Sequence, residues 1–188
     1  MPVAGLLDKK YLAERRQLIS PFAAAGRYEP GTPPGAKPRA EAPPIPEQGT
    51  THFAVADKAG NVVSMTSTIE SIFGSHLIAN GYFLNNELTD FTFAPEKNGA
   101  KVANRVQPGK RPLSSMSPHI VYDAQDRPVL AVGSAGGKRI IMHVTKALIG
   151  VIDFGLPAGD ALALPNIYFG NGSLIVEGDT SLGNISEA

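Results

Sequence analysis

Thr50-Thr51-His52-Phe53-Ala54-Val55-Ala56-Asp57-Lys58-Ala59-Gly60-Asn61-Val62-Val63-Ser64-Met65-Thr66-Ser67-Thr68 consists of two runs of strand-forming residues around one turn cluster. Thr51 to Ala56 and the β-branched run Val62 to Thr68 suit a pleated surface, and Asp57 to Asn61 supplies the residues that a tight reversal needs. The stretch predicts an antiparallel hairpin. With the turn centred on Ala59, cross-strand partners sum to twice 59, so Thr50 falls opposite Thr68, or opposite position 67 if the register slips by one.

Downstream, His76 to Asn85 reads as a second hairpin. Asn80-Gly81 is a strong two-residue turn signal there, and it pairs Ala79 with Tyr82 and Ile78 with Phe83. Pro118 to Tyr122 and Pro128 to Ser134, joined by Asp123 to Arg127, read as a third. After Gly136-Gly137, residues 139 to 153 place Ile140, Ile141, Val144, Leu148, Val151 and Ile152 at helical spacing with a wide apolar face. A shorter helix is expected over Ala158 to Leu164, stopped by Pro165, and a last strand over Ser173 to Glu177. Hairpins followed by a core-packing helix predict an α+β fold, an antiparallel sheet with helix on at least one face.

Upstream, residues 28 to 49 carry seven prolines and residues 50 to 91 carry none, which marks a junction near residue 49. Asp8 reads as an N-cap with Leu7 and Leu12 placed for a hydrophobic staple, opening a helix to about Ser20. The proline-rich stretch after it can form neither a helix nor a central strand, so it reads as an extended surface arm.

The whole chain has 188 residues, with 17 Lys and Arg against 17 Asp and Glu. Zero formal charge without charged blocks removes the case for a nucleic-acid or polybasic membrane partner. The absence of cysteine excludes a disulfide scaffold, a Cys-ligated metal and a thiol nucleophile. No apolar run approaches the ~18 residues of a membrane span, and the N-terminus lacks the layout of a signal peptide, so the chain reads as soluble.

Several groups could carry chemistry. Thr50 and Thr68 place two hydroxyls at the open end of the first hairpin, which is either an ordinary strand pair or a nucleophile and its partner. Thr50 also stands where the proline-rich arm meets a strand, where a backbone cut would expose a new N-terminal threonine. Glu70, Glu87 and Asp90 each follow a strand, and they are either solvated or gathered to hold a cation. Ser114 and Ser115 follow the stiff loop Pro108 to Pro112 and fit either a turn or an anion contact. Gly133-Ser134-Ala135-Gly136-Gly137-Lys138-Arg139 is not a phosphate loop, because its glycine spacing is one residue short and Arg139 stands where a magnesium-binding hydroxyl belongs. A glycine pair at a helix start still offers N–H groups to a developing negative charge, and plain tight packing is the alternative. His52, His76, His119 and His143 have neither metal-ligand spacing nor an orienting carboxylate. The triplets at Asn171 and Asn184 match the glycosylation signal, which is frequent by chance.

Taken together, Thr50-Thr51-His52-Phe53, Gly60-Asn61-Val62-Val63-Ser64, Leu84-Asn85-Asn86-Glu87-Leu88-Thr89-Asp90-Phe91, Lys110-Arg111-Pro112-Leu113-Ser114-Ser115-Met116-Ser117-Pro118 and Gly133-Ser134-Ala135-Gly136-Gly137 resemble the small subunit of a γ-glutamyltransferase. That family is one of N-terminal-nucleophile hydrolases. The resemblance covers residue 50 onward, and residues 1 to 49 resemble the tail of the family's large subunit. It implies a four-layer αββα sandwich, present here only in part, with the small-subunit region ending short of the family's final strands. It further implies one precursor that cuts itself between Gly49 and Thr50, with the large subunit of that precursor as partner. Thr50 would be the nucleophile, and its freed α-amine, of reference pKa ~7.7–8.0, the base. Thr68 would hydrogen-bond the nucleophile, and the Gly136 and Gly137 amides would stabilise the oxyanion. Ser114 and Ser115 would hold the α-carboxylate of the donor, helped by a large-subunit arginine, and Glu70, Glu87 and Asp90 its α-ammonium.

The implied activity is γ-glutamyl transfer from glutathione and related donors to amino-acid, peptide or water acceptors, without cofactor or metal, in the periplasm or outside the cell. A same-fold β-lactam acylase and a non-catalytic fragment are the alternatives. Asn166 departs from the family, which usually has arginine after the proline at 165. The segment Thr92 to Val106 corresponds to a loop that covers the site in some members and is absent in others.

Overall fold

The computed structural model describes residues 2–20, 22, 29–41, 49–170 and 173–184. At the first turn, Asp57 Oδ1 accepts from the main-chain N–H groups of Ala59 and Asn61, each at 2.9 Å, and Oδ2 accepts from Asn61 Nδ2 at 2.7 Å. The Asn61 side-chain bond is the largest of the contacts holding the Asp57 carboxyl below its ordinary 3.8. The turn so fixed sets the register of β1 (Thr51–Ala56) on β2 (Val62–Ser67): they run antiparallel, Ala56 opposite Val62 and Thr51 opposite Ser67. This is the register centred on residue 59, and it brings Thr50 and Thr68 to the open end.

The second hairpin pairs β3 (Ile78–Ala79) with β4 (Tyr82–Phe83). Its turn residues Asn80 and Gly81 both have positive φ, at 51° and 83°, as a two-residue turn of matching twist requires. An unexpected hairpin, β5 (Glu96–Lys97) and β6 (Ala100–Lys101), lies within the 92–106 segment. Asn98-Gly99 turns it by the same device, with φ of 53° and 74°. β7 (His119–Tyr122) pairs with β8 (Pro128–Val132), which stops two residues before the expected Ser134. The last pair, β9 (Ile167–Gly170) and β10 (Ser173–Val176), supplies the expected final strand together with a partner that the sequence reading missed.

Each pair is a two-stranded sheet of its own, so the strands do not merge into the single expected sheet. One cross-link between pairs is side chain to main chain: Ser64 Oγ in β2 donates to the Val132 carbonyl in β8 at 3.3 Å.

Helices α1 (Val3–Leu6) and α2 (Lys9–Arg16) precede the strands. Asp8 caps α2 as expected, accepting from Tyr11 N at 2.8 Å. The helix stops at Arg16, well before Ser20. Gln17, Leu18 and Ile19 donate to carbonyls three residues back, the tightening that commonly ends a helix. Of the proline-rich arm, the described part runs to residue 41 and includes a parallel bridge: Ala40 N donates to Lys101 O at 3.1 Å, and Ala103 N to Ala40 O at 3.0 Å. Pro43, Pro44 and Pro46 lie outside the described residues, as do Asn171 and part of the triplet at Asn184.

The core sits where the apolar period put it. In α3 (Ile140–Ile152), Ile140, Val144 and Ala147 are almost fully buried and pack with Val132 of β8, flanked by Met116, Leu130 and Leu148. The spacing i, i+4, i+7 is one helix face. Against its far end packs α4 (Ala158–Ala163), so closely that a side chain at Gly150 would meet Ala161 Cβ at 2.8 Å. Lys146 Nζ closes that junction by donating to the carbonyls of Leu162 and Leu164 at 2.9 and 2.5 Å. No helix among the described residues is long and apolar enough to cross a membrane.

Candidate active site

Where the first hairpin opens, Thr68 Oγ1 donates to the Gly49 carbonyl at 2.5 Å and accepts from Glu70 N at 2.9 Å. The register, continued one pair beyond Thr51 and Ser67, sets Thr68 across from Thr50, and the Thr68 proton goes to the carbonyl that precedes Thr50. Thr50 and Thr68 line one pocket together with Glu70, Glu87 and Asp90. Ser114, Ser115 and Gly137 line the same pocket, beside Met116 and Ile140. Of the nine residues singled out in the sequence, Gly136 alone is not on its wall.

The acidic side is built as a network. Glu70 is buried, and its Oε2 accepts from Ser71 Oγ at 2.6 Å and from Asn86 Nδ2. Asn86 in turn accepts from Ser71 N at 3.0 Å, and its amide also contacts Thr89 Oγ1 at 3.0 Å. It is the hub of this side, and its only sequence signal was its place in the Asn85-Asn86-Glu87 run. Glu87 and Asp90 open and close a 3₁₀ turn, Glu87–Asp90. Burial, followed by the charge of Glu70, pushes the Asp90 carboxyl up, against a hydrogen bond from Glu87 that pulls it down. Asp90 Oδ1 is buried and has no hydrogen-bond partner among the described residues. The pocket therefore combines negative charge with an unused acceptor, which is the electrostatic demand of a cation. No cluster of three or more acidic or imidazole groups among the described residues could hold a metal ion.

On another loop of the same pocket, Ser115 is buried, and Ser114 Oγ accepts from Met116 N at 3.2 Å. Gly136 and Gly137 have φ of 121° and 57°, both in the region that favours glycine. Gly137 begins a 3₁₀ turn, Gly137–Arg139, that runs into α3, so the turn stands at the amino end of a 13-residue helix. The histidines lie off the pocket wall. Nδ1 of His52 meets Thr66 Oγ1 at 3.0 Å, and Nδ1 of His143 meets Ser134 Oγ at 3.0 Å.

Comparison with known proteins agrees with this geometry. A family model described as gamma-glutamyltranspeptidase matches residues 1–185. The glutathione hydrolase proenzyme of Bacillus subtilis (strain 168) is 42% identical over 177 residues, covering 89% of this chain and 29% of that protein. The glutathione hydrolase proenzyme of Pseudomonas sp. (strain A14) is 39% identical over 176 residues, with the same coverage. The chain thus spans under a third of the length of these curated relatives. A crystal structure of a Helicobacter pylori γ-glutamyltranspeptidase mutant is 38% identical and superposes with a TM-score of 0.58, covering 67% of this chain and 72% of that one. The described hairpins and helices are accordingly part of an N-terminal-nucleophile hydrolase fold. With its family model, its relatives and its fold in agreement, the chain belongs to the γ-glutamyltranspeptidase family.

Proposed function

We propose that this protein cuts itself between Gly49 and Thr50 and then transfers the γ-glutamyl group of glutathione and similar donors to amino-acid or peptide acceptors, or to water. The observation that carries the reading is the pocket itself, which gathers Thr50, the acidic network and the serine pair at the end of one hairpin. The relatives' name, glutathione hydrolase proenzyme, supports both halves of it.

In the cut, Thr50 Oγ attacks the Gly49 carbonyl carbon, the Thr50 nitrogen leaves with a proton, and water hydrolyses the ester so formed. The Thr68 hydroxyl, already on the Gly49 oxygen, is placed to stabilise the charge that develops there. The products are a Gly49 carboxylate and a free Thr50 amine. That amine then takes the Thr50 hydroxyl proton as the oxygen attacks the donor's γ-carbonyl, and the proton passes to the departing amine. Acceptor or water resolves the ester. Gly137 and Gly136 supply amides for the oxyanion, and Asp90, with Glu87 and Glu70, receives the donor's α-ammonium. Ser114 and Ser115 receive the α-carboxylate, with an arginine of the precursor's large subunit. The unused Asp90 acceptor favours this donor over the β-lactam acylase alternative, because a cation is what completes it.

Intact-mass measurement on the protein as naturally produced tests the first step. Wild type is expected as two pieces divided at the Gly49–Thr50 bond and Thr50→Ala as one uncut chain. A folded wild type never cut at that bond would defeat the reading.

A further inference from the structure

The two recognition sides of the pocket are far apart in the chain, Asp90 before the 92–106 segment and Ser114 after it, so something must set their spacing. One side chain touches both. Asn104 Nδ2 donates to the Asp90 main-chain carbonyl at 2.5 Å, and Asn104 Oδ1 accepts from Leu113 N, the residue before Ser114, at 2.9 Å. The main chain around Asn104 is itself held by two partners, Thr92 and Lys110. The Asn104 carbonyl accepts from the N–H of buried Thr92 at 2.9 Å. Lys110 Nζ donates to the carbonyls on either side of it, Ala103 at 2.5 Å and Arg105 at 3.0 Å.

We propose that Asn104 is a positioning residue that fixes the distance between the ammonium-holding and carboxylate-holding sides of the pocket, and so sets its selectivity for donors ending in an α-amino acid. The inference rests on the donor reading given above. Its chemistry is specific. Bridging a carbonyl to an N–H takes one donor and one acceptor on a short planar group, which a primary amide has and a carboxylate lacks. An α-amino acid carries ammonium and carboxylate on one carbon, so the holders of the two must keep a fixed separation. A donor lacking either charge gains nothing from that spacing.

The test uses the mature protein purified as it is naturally produced, with L-γ-glutamyl-p-nitroanilide and glutaryl-p-nitroanilide, which lacks the ammonium. Asn104→Asp keeps the acceptor toward Leu113 and sets oxygen against the Asp90 carbonyl. It is expected to raise KM for the γ-glutamyl anilide about tenfold with kcat within about twofold, one hydrogen bond's worth of binding. The preference in kcat/KM for γ-glutamyl over glutaryl should fall by the same factor, and Asn104→Gln, which restores both functions on a longer arm, should recover part of it. Unchanged KM and preference overturn the proposal, as does an equal loss on both anilides, the mark of a merely structural role. Should Asn104→Asp not fold, Lys110→Met carries the same measurement, because it frees the carbonyls beside Asn104 and spares its amide. A severalfold fall in preference is expected there, and an unchanged preference overturns the proposal. A wild type inert toward both anilides defeats the donor reading, whereas a selective wild type with an equally selective variant defeats the brace alone.

Discussion

The two walls of the pocket are held by different means. The wall with Thr50, Thr68 and Gly137 stands on repeating structure, the ladder of β1 and β2 and the start of α3 over its buried face. The wall with Glu70, Asp90 and Ser115 stands on loops, fixed by side-chain amides that reach main-chain and carboxylate groups. A ladder places its residues through many equivalent bonds, so the loss of one shifts little. A loop wall depends on single bonds, each of which can be lost whole. On the function proposed above, the regular wall carries the chemistry and the irregular one substrate selection, and mutation can separate the two.

The largest effect is expected at the regular wall. Gly137→Val would force a β-branched residue to φ of 57° and push the acyl group from the amides, so acylation should slow by about 10²–10³, as when one oxyanion donor is removed. Pre-steady-state acylation measured beside equilibrium binding of L-glutamate checks this. Equal losses in both would erase the division of labour. At the loop wall, Asp90→Ala should weaken L-glutamate binding by about 2 kcal/mol, the low end for a charged partner in a pocket open to water, while self-cleavage survives. Calorimetry reads the first effect and intact mass the second.

The pH dependence sharpens the same contrast. Burial and Glu70 raise the Asp90 carboxyl above its ordinary 3.8. A raised acid holds its proton longer in the folded state, so without a ligand its charge costs stability above that range, and the cost fades as pH falls through the raised value. A bound ammonium needs the ionised form. L-glutamate affinity should therefore rise with pH through that raised value and level off above it, and Asp90→Ala should flatten this limb. The smallest effect on the site is expected behind the pocket: Val144→Ala, in the buried face of α3 that packs with pocket-lining Ile140, should lower stability by about 2 kcal/mol in denaturant unfolding and change acylation and L-glutamate affinity by less than about twofold.

The same contrast explains what could be read from the chain. The register of β1 on β2 was legible because Asp57 and Asn61 fix the turn by local bonds, and α3 was legible because burial of one face imposes a period. The Asn98-Gly99 turn carried the signal used at Asn80-Gly81, but the flanking pairs Glu96–Lys97 and Ala100–Lys101 are polar and exposed, so no alternation pointed to strands. β9 ends at Gly170 and its partner begins at Ser173, and the sequence between them is Asn-Gly, the signal used at Asn80-Gly81, so this strand was legible in the sequence and was missed. Asn86 and Asn104 were illegible for a more general reason. An amide's role lies in what it touches, and both touch residues brought near by folding, whereas in the sequence they are polar loop positions like any other.

Pairing in twos has a consequence for how the molecule opens. Every described strand has one paired edge and one edge without a strand ladder, and an isolated hairpin is marginal in water. Protection against amide exchange should then be graded rather than shared. It should be deepest along α3 and the β8 strand beneath it, where Val132, Ile140, Val144 and Ala147 exclude solvent, and shallow in β9 and β10 and in α2, whose residues are all exposed or half-buried. Local opening would thus begin in α2 and in the β9–β10 pair and reach last the helix whose first residue, Ile140, lines the pocket with Thr50.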